Sequence, residues 1–530
     1  MTGIALLLLA ATAGFGAARA LRLPALPFLV LAGFALSFTG RVEADFLQDA
    51  LVLGITFLVF VAGLELNPAR LHRQKRAALL VGTVQFGVLG AAGFAAALGL
   101  GMDPHTAVYV ALALTASSTL VAVRVLQQRR ELFEPYGRLV LGVLLLQDAL
   151  VVLLIPLLTG LPRGIGAAAA GAGAALVLMG VSWTLLRALL PRILAWLSLD
   201  EELLILVVLS LLFAFLLLAD RLGLPLVVGA FVAGVALSSF PVNGVVRGQM
   251  TPITDFFSAV FFTSLGATLG MPSGTALLQA LALAALVVLV TPPLVTLLAE
   301  RAGHSARPAI LSGLLLSQTS EFSLVVGLQG VVLNQILPET FSVIVLVTLL
   351  TMTLTPLLAG DRVTLALLRL HPTRWGRPEP EPPEGHVLLV GCGGTGMPLL
   401  ETLLIGPHPL MVLDDDPAVV ARVREAGVPA LRGDASDPAV LRSAGADRAR
   451  VVLSTLGRPR DNEALLAAAG SAPVLVRAFD DEDARWISAL GGRPVLASEA
   501  AAGRFLEWFD RGAGRREDDD LEEVEQEEVL

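Results

Sequence analysis

Charge is scarce in this 530-residue chain: 16% of its residues are Asp, Glu, Lys or Arg, 55% are hydrophobic, and the mean hydropathy is +0.76. That balance excludes an ordinary soluble globular protein. Cysteine is nearly missing too, and the single Cys392 excludes an intramolecular disulfide. The chain carries a net charge of -9 and no basic tract of the kind nucleic acid demands, so nucleic-acid binding has no support. Much of the negative charge lies in the run from Arg516 to Glu528, which reads as a solvated, disordered acidic tail over 508–530. The N-terminus lacks the basic n-region of a cleavable signal peptide and reads as the start of a retained span.

What is present instead is a series of apolar windows long enough to cross about 30 Å of hydrocarbon. They recur from Ile4 to Ala359 and predict about thirteen spans, near 4–19, 24–39, 47–65, 77–100, 106–126, 138–158, 165–190, 202–219, 224–239, 254–270, 275–299, 308–333 and 339–359. Arginines cluster in alternate loops, which by the positive-inside rule places the N-terminus outside and everything after the last span in the cytoplasm.

Within one span, Leu141 to Pro156, a carboxylate interrupts the apolar run at Asp148, beside the amide of Gln147. A charge at the centre of a spanning helix costs about 2.5–3.5 kcal/mol on insertion scales, so such a group normally faces a wet or protein-lined cavity where it takes up a proton or cation. Neutralisation by a buried structural partner is the alternative. Two other spans carry polar interruptions: Thr115, Ser117, Ser118 and Thr119 in the fifth, and Gln318, Thr319, Ser320 and Glu321 after Ser317 in the twelfth. They run in opposite directions and lie seven spans apart, as expected of inverted repeats whose broken helices cross at the midplane. These eight residues are candidates for an ion pathway. Ordinary Ser/Thr helix packing is the competing reading for each patch taken singly.

After Ala359 the texture changes. Residues 361–385 read as a proline-rich linker, and a second domain is expected over 386–507. There a buried strand, His386 to Val390, runs into Gly391, Gly393, Gly394, Thr395 and Gly396 and then an apolar helix, with Asp414 closing the next strand. Strand, Gly-x-Gly-x-x-Gly, helix and a delayed acid together form the dinucleotide fingerprint, in which glycines admit a phosphate to a helix N-terminus and the acid binds ribose hydroxyls. Asp416, Asp434 and Ala435 complete the candidate nucleotide site. No substrate domain accompanies it, so a regulatory adenine nucleotide (AMP, ATP/ADP or NAD(H)) is expected rather than a redox cofactor, and the chain is not expected to be an enzyme. The fold expected overall is a polytopic α-helical membrane domain over 1–360, with inverted repeats and crossed broken helices, followed by a cytoplasmic α/β Rossmann-like domain.

Several motifs occur in a fixed order: Gly63-Leu-Glu-Leu66, Ala116-Ser-Ser-Thr119, Leu146-Gln147-Asp148, Gly229 to Gly234, Phe261-Phe-Thr-Ser-Leu-Gly266, Ser317-Gln-Thr-Ser-Glu-Phe322, the glycine loop and Gly433-Asp-Ala-Ser436. On these the chain resembles bacterial monovalent cation:proton antiporters of the second superfamily, the branch of the potassium efflux systems with a C-terminal potassium-transport nucleotide-binding (RCK/TrkA-N type) domain. The resemblance implies a homodimer in the inner membrane exchanging K+ or Na+ for H+. It further implies Asp148 as the alternating proton and metal-cation site, Gln147 as the neighbour found in potassium-type members, and elevator-like motion. The chain departs from it in three places. Lys75 is the only lysine, and Thr291 stands where many relatives carry one; the glycine loop has Gly394 and the fifth strand ends in Arg477-Ala-Phe-Asp480, where glutathione-gated members carry arginines. Cation:proton antiport is therefore expected ahead of a gated channel or a membrane-anchored nicotinamide enzyme.

Overall fold

A computed structural model of the protein describes residues 2–506 except 22, 41, 66–74, 133, 197–200, 239–242, 371–380, 394–395, 458–460, 497, 500–501 and 504–505. The chain divides into two compact units, Met1–His371 and Pro372–Leu530. Gly394, Thr395, residues 371–380 of the proline-rich linker and the acidic tail lie outside the described residues.

The first unit is helical because its sequence offers the backbone no other partner: in hydrocarbon every N–H and C=O must be satisfied internally. Its helices are α1 (Thr2–Leu21), α2 (Ala25–Ser37), α3 (Ala44–Glu65), α4 (Lys75–Gly99), α5 (Pro104–Thr115), α6 (Thr119–Gln128), α7 (Pro135–Gly160), α8 (Ile165–Trp196), α9 (Glu201–Arg221), α10 (Leu226–Ser238), α11 (Asn243–Thr268), α12 (Gly274–Arg301), α13 (Ala306–Leu315), α14 (Glu321–Val332), α15 (Pro338–Leu358) and α16 (Asp361–Leu370). Eight helical stretches are at least 18 residues long and apolar enough to cross a membrane, and five more apolar helices are shorter, among the described residues.

Packing follows the inverted repeat, α1–α7 against α9–α15. In one bundle α3 packs on α10, and α2 on α11. Both contacts are made through reciprocal glycines. A Cβ on Gly63 would stand 2.5 Å from the Phe231 carbonyl and one on Gly234 2.1 Å from that of Phe60; Gly33 and Gly266 face Thr263 and Val30 at 1.9 and 2.0 Å in the same way. Small residues let membrane helices approach where no hydrophobic force separates helix from lipid. In the other bundle α4 packs on α5 and α7, α12 on α13 and α15, and α5 on α14.

One boundary needs correction. Residues 361–370, expected in the linker, form α16. No proline interrupts them, and Val363 and Leu368 pack against the apolar cluster of α6, α7 and α13. An ion-pair node pins the start of this helix: Arg129, after α6, bonds Asp361 Oδ1 at 2.6 Å, Glu131 at 2.9 Å and the Ala359 carbonyl at 3.0 Å, and Arg307 of α13 lies 3.7 Å from Asp361.

The second unit is a six-stranded parallel sheet, β1 (Val387–Val390), β2 (Leu410–Asp414), β3 (Ala430–Arg432), β4 (Val451–Ser454), β5 (Val474–Ala478) and β6 (Arg493–Leu496), in the order β3-β2-β1-β4-β5-β6. Helices α17 (Gly396–Leu404), α18 (Pro417–Glu425), α19 (Pro438–Ser443), α20 (Asn462–Ala468) and α21 (Asp481–Ala489) connect the strands. Strands β1 and β2 are buried throughout, which is why their sequences read as unbroken apolar runs. The order reverses between β1 and β4, and a doubly wound sheet opens its ligand crevice at such a switch point.

Candidate ion-binding site

The two polar interruptions are helix breaks, and they meet. α5 stops at Thr115, Ala116 and Ser118 are extended, and α6 restarts at Thr119; α13 stops at Leu315 and α14 restarts at Glu321 after an extended Ser320. Each break frees backbone groups inside the membrane, and side chains recover them. Thr115 and Ser317 hydroxyls donate to the carbonyls three residues back, Leu112 and Leu314, each at 2.7 Å. Across the crossing, Ser117 Oγ donates to the Leu316 carbonyl at 2.8 Å, Gln318 Nε2 to the Ser118 carbonyl at 3.4 Å, and Ser323 Oγ to the Ala113 carbonyl. Ser118 and Ser320 cap the two restarted helices, accepting from Val121 and Phe322 amides at 3.4 and 3.2 Å. The polar residues are thus the partners that make broken backbone tolerable at this depth.

Asp148 and Gln147 of α7 lie against the first break. Gln147 Oε1 accepts the Ser117 amide at 3.0 Å, and Asp148 Oδ2 accepts from the Thr119 hydroxyl at 3.1 Å, in the first turn of α6. Asp148 is 3% exposed and Gln147 fully buried. Glu321 opens α14, buried, directly after the capping Ser320. Two helix N-termini, each carrying roughly half a positive charge, therefore have a carboxylate beside them. Among the described residues, Asp148 Oδ1, Gln318 Oε1, Glu321 Oε2 and Gln147 Nε2 are buried and make no hydrogen bond. Three of these four are acceptor oxygens, the donor set that alkali cations prefer. The structure thus brings all eight candidate pathway residues, with Asp148 and Gln147, to one crossing. Thr291 of α12 is buried, and its hydroxyl too lacks a partner among the described residues.

Sequence reasoning missed Thr348 and Thr351 of α15. Thr351 Oγ1 accepts the Thr319 amide at 3.1 Å, and Thr319 Oγ1 donates to Thr348 Oγ1 at 3.0 Å. Their spacing of three on one face of the helix following the second interruption was the available signal.

In the second unit the glycine loop leads from β1 to α17. Gly391 has a φ of 80°, and a Cβ on Gly396 would stand 2.1 Å from the Gly391 carbonyl, so the helix starts tight against the strand. Gly393 has open space around it. Asp414, closing β2, accepts the Cys392 amide at 2.5 Å and the Asp416 amide at 2.8 Å. Burial raises its carboxyl above the ordinary value, against the pull of those amides. Burial and the Asp414 carboxylate push the Cys392 thiol up to about 11, which keeps it protonated and unreactive at neutral pH. Asp434, after β3, accepts from the Ser436 amide and hydroxyl, both at 2.8 Å, and Ala435 follows it, buried.

Residues 4–360 match the family model described as sodium/hydrogen exchanger, transmembrane, and 387–497 match the TrkA-N domain. The glutathione-regulated potassium-efflux system protein KefC of Salmonella typhimurium is 30% identical over 438 residues, 79% of this chain and 69% of its own. Its Enterobacter counterpart is 31% identical over 436 residues, with the same two shares. The sodium proton antiporter MjNhaP1 of Methanocaldococcus jannaschii superposes with a TM-score of 0.53 over 69% of this chain and 98% of its own, at 17% identity, so that the two share a fold. A transporter fold with crossed helix breaks, joined to a Rossmann-like sheet and matched by relatives over most of its length, makes this chain a member of the sodium/hydrogen exchanger family, a monovalent cation:proton antiporter of the second superfamily that resembles the potassium efflux systems and carries a C-terminal TrkA-N domain.

Proposed function

We propose that the protein exchanges potassium for protons across a bacterial inner membrane, one ion at a time at Asp148, and that an adenine nucleotide in the glycine-loop crevice sets the rate. The observation that carries this reading is the uncommitted Asp148 Oδ1 at the helix crossing. Protonated, the carboxyl is neutral and stable in its buried place; ionised, it binds a dehydrated cation with help from the acceptor oxygens of Gln318 and Glu321, and the two species exclude each other. Potassium is favoured by Gln147 beside the carboxylate and by the curated relatives, which are named for potassium efflux. Alternating access follows from motion of the bundle holding both breaks against the bundle joined by the glycine pairs, in a homodimer.

In the second domain, Gly391, Gly393, Gly396, Asp414, Asp416 and Asp434 supply a loop, a helix N-terminus and acids suited to phosphate and ribose. Gly394 and Arg477-Ala-Phe-Asp480 depart from the arginine pattern of glutathione-gated members, so the nucleotide and not glutathione is the expected regulator. Purified protein in liposomes, with an entrapped pH dye, tests the whole reading. Potassium should drive proton movement more strongly than sodium or lithium, and Asp414→Ala should flatten its dependence on added AMP, ADP or NADH. A larger response to sodium makes it a sodium:proton antiporter; no response to any nucleotide removes the regulatory half.

A further inference from the structure

The two breaks are held by the same device in different chemistry. In the first, the Ser117 amide is accepted by Gln147 Oε1 of α7 at 3.0 Å; in the second, the Thr319 amide is accepted by Thr351 Oγ1 of α15 at 3.1 Å. Ser117 and Thr319 each stand one residue before a capping serine, and α7 and α15 are each the last helix of a repeat. Thr351 is therefore the counterpart of Gln147. Its own proton goes back to the Val347 carbonyl at 2.9 Å, which leaves its lone pairs directed at Thr319. Thr348 does the same one turn earlier, donating to the Ile344 carbonyl at 2.9 Å and accepting the Thr319 hydroxyl at 3.0 Å. All three threonines are fully buried, so no water substitutes for either bond.

We propose that Thr351, with Thr348, is a positioning residue for the transported cation: the pair fixes the non-helical stretch 317–320 through Thr319, and so holds the uncommitted oxygens of Gln318 and Glu321, one and two residues away, at the crossing. The inference rests on the reading that the cation binds there. A buried amide without an acceptor shifts until it finds one, and any such shift of Thr319 carries Gln318 and Glu321 with it. Ion affinity, more than the turnover of the loaded carrier, is what this clamp sets.

The test is exchange kinetics in liposomes with potassium, and with sodium as a second arm. Thr351→Val keeps the shape and removes the acceptor; it should raise the apparent KM for the cation about tenfold, or about 1.4 kcal/mol, with maximal rate changed far less. Thr351→Ser should restore the KM. Thr348→Val should show a smaller rise. Thr355→Val is the control, because the Thr355 hydroxyl donates only along its own helix, to the Thr351 carbonyl at 2.9 Å; its KM should stay at the wild-type value. Equal KM values for Thr351→Val and wild type, or equal effects of Thr351→Val and Thr355→Val, overturn the proposal. If Thr351→Val does not fold, Thr351→Ser alone decides: a wild-type KM supports the hydroxyl, and a KM raised as by Thr348→Val refutes it. Asp148→Asn run alongside separates the two readings, since normal exchange by that variant would dismiss the ion site itself.

Discussion

The first and second helix breaks share a backbone plan but not a load. In the first, the clamping Gln147 is followed by Asp148, and the restarted helix α6 opens with Thr119; in the second, the clamping Thr351 is followed by Met352, and α14 opens with Glu321. The carboxylate stands on the packed neighbour in one repeat and on the broken helix in the other. Asp148 and Met352 are equally buried, so burial does not explain the difference. Each restarted helix needs one negative group near its N-terminus. Supplying the two from different elements brings both to one crossing.

Breaking the comparison at its titratable end should have the largest effect. Asp148→Asn removes the group proposed to trade proton for cation, and coupled exchange should fall to the background of protein-free liposomes while expression is retained; normal dye response would refute the assignment. Making the repeats alike should cost stability next. If the repeats are equivalent, Met352→Asp sets a second carboxylate opposite Glu321, which holds the place that Thr119 holds for Asp148, and an unpaired buried charge costs several kcal/mol. Melting of the detergent-solubilised protein should drop clearly, and Glu321→Thr added to it should recover part of the loss, because residue 321 then offers the bond that Thr119 gives Asp148. Failure of that rescue would mean that the repeats are not equivalent at this depth. The smallest effect is expected from Gln147→Leu, which leaves the Ser117 amide without its acceptor at a cost of about 1–3 kcal/mol; it should weaken cation binding without abolishing exchange, and an unchanged KM would argue against the clamp.

The spans, the breaks, the intramembrane carboxylate and the glycine fingerprint were legible because each violates a strong expectation: long apolar runs, polar residues within them, a charge in hydrocarbon, glycines between strand and helix. Thr348 and Thr351 were not legible, since threonine in a membrane helix ordinarily bonds its own preceding turn, as Thr353 and Thr355 do. Residues 361–370 were misassigned for a related reason. Their apolar side chains are too few to signal a span, and only the apolar cluster against which Val363 and Leu368 pack shows why they are helical.

By itself, then, the sequence determined the class of environment, the elements and the chemical groups, because transfer to hydrocarbon, backbone satisfaction and glycine conformations act locally along a chain. Tertiary structure alone decided which amide each side chain clamps and which oxygens are left over. Ser117 meets Leu316 across 199 residues of chain, and Thr319 meets Thr351 only because two helices of one repeat pack side by side. Hydrogen bonds are short-ranged and directional. Which acceptor oxygens remain free for a cation is therefore a property of the assembled crossing and of no single stretch of residues.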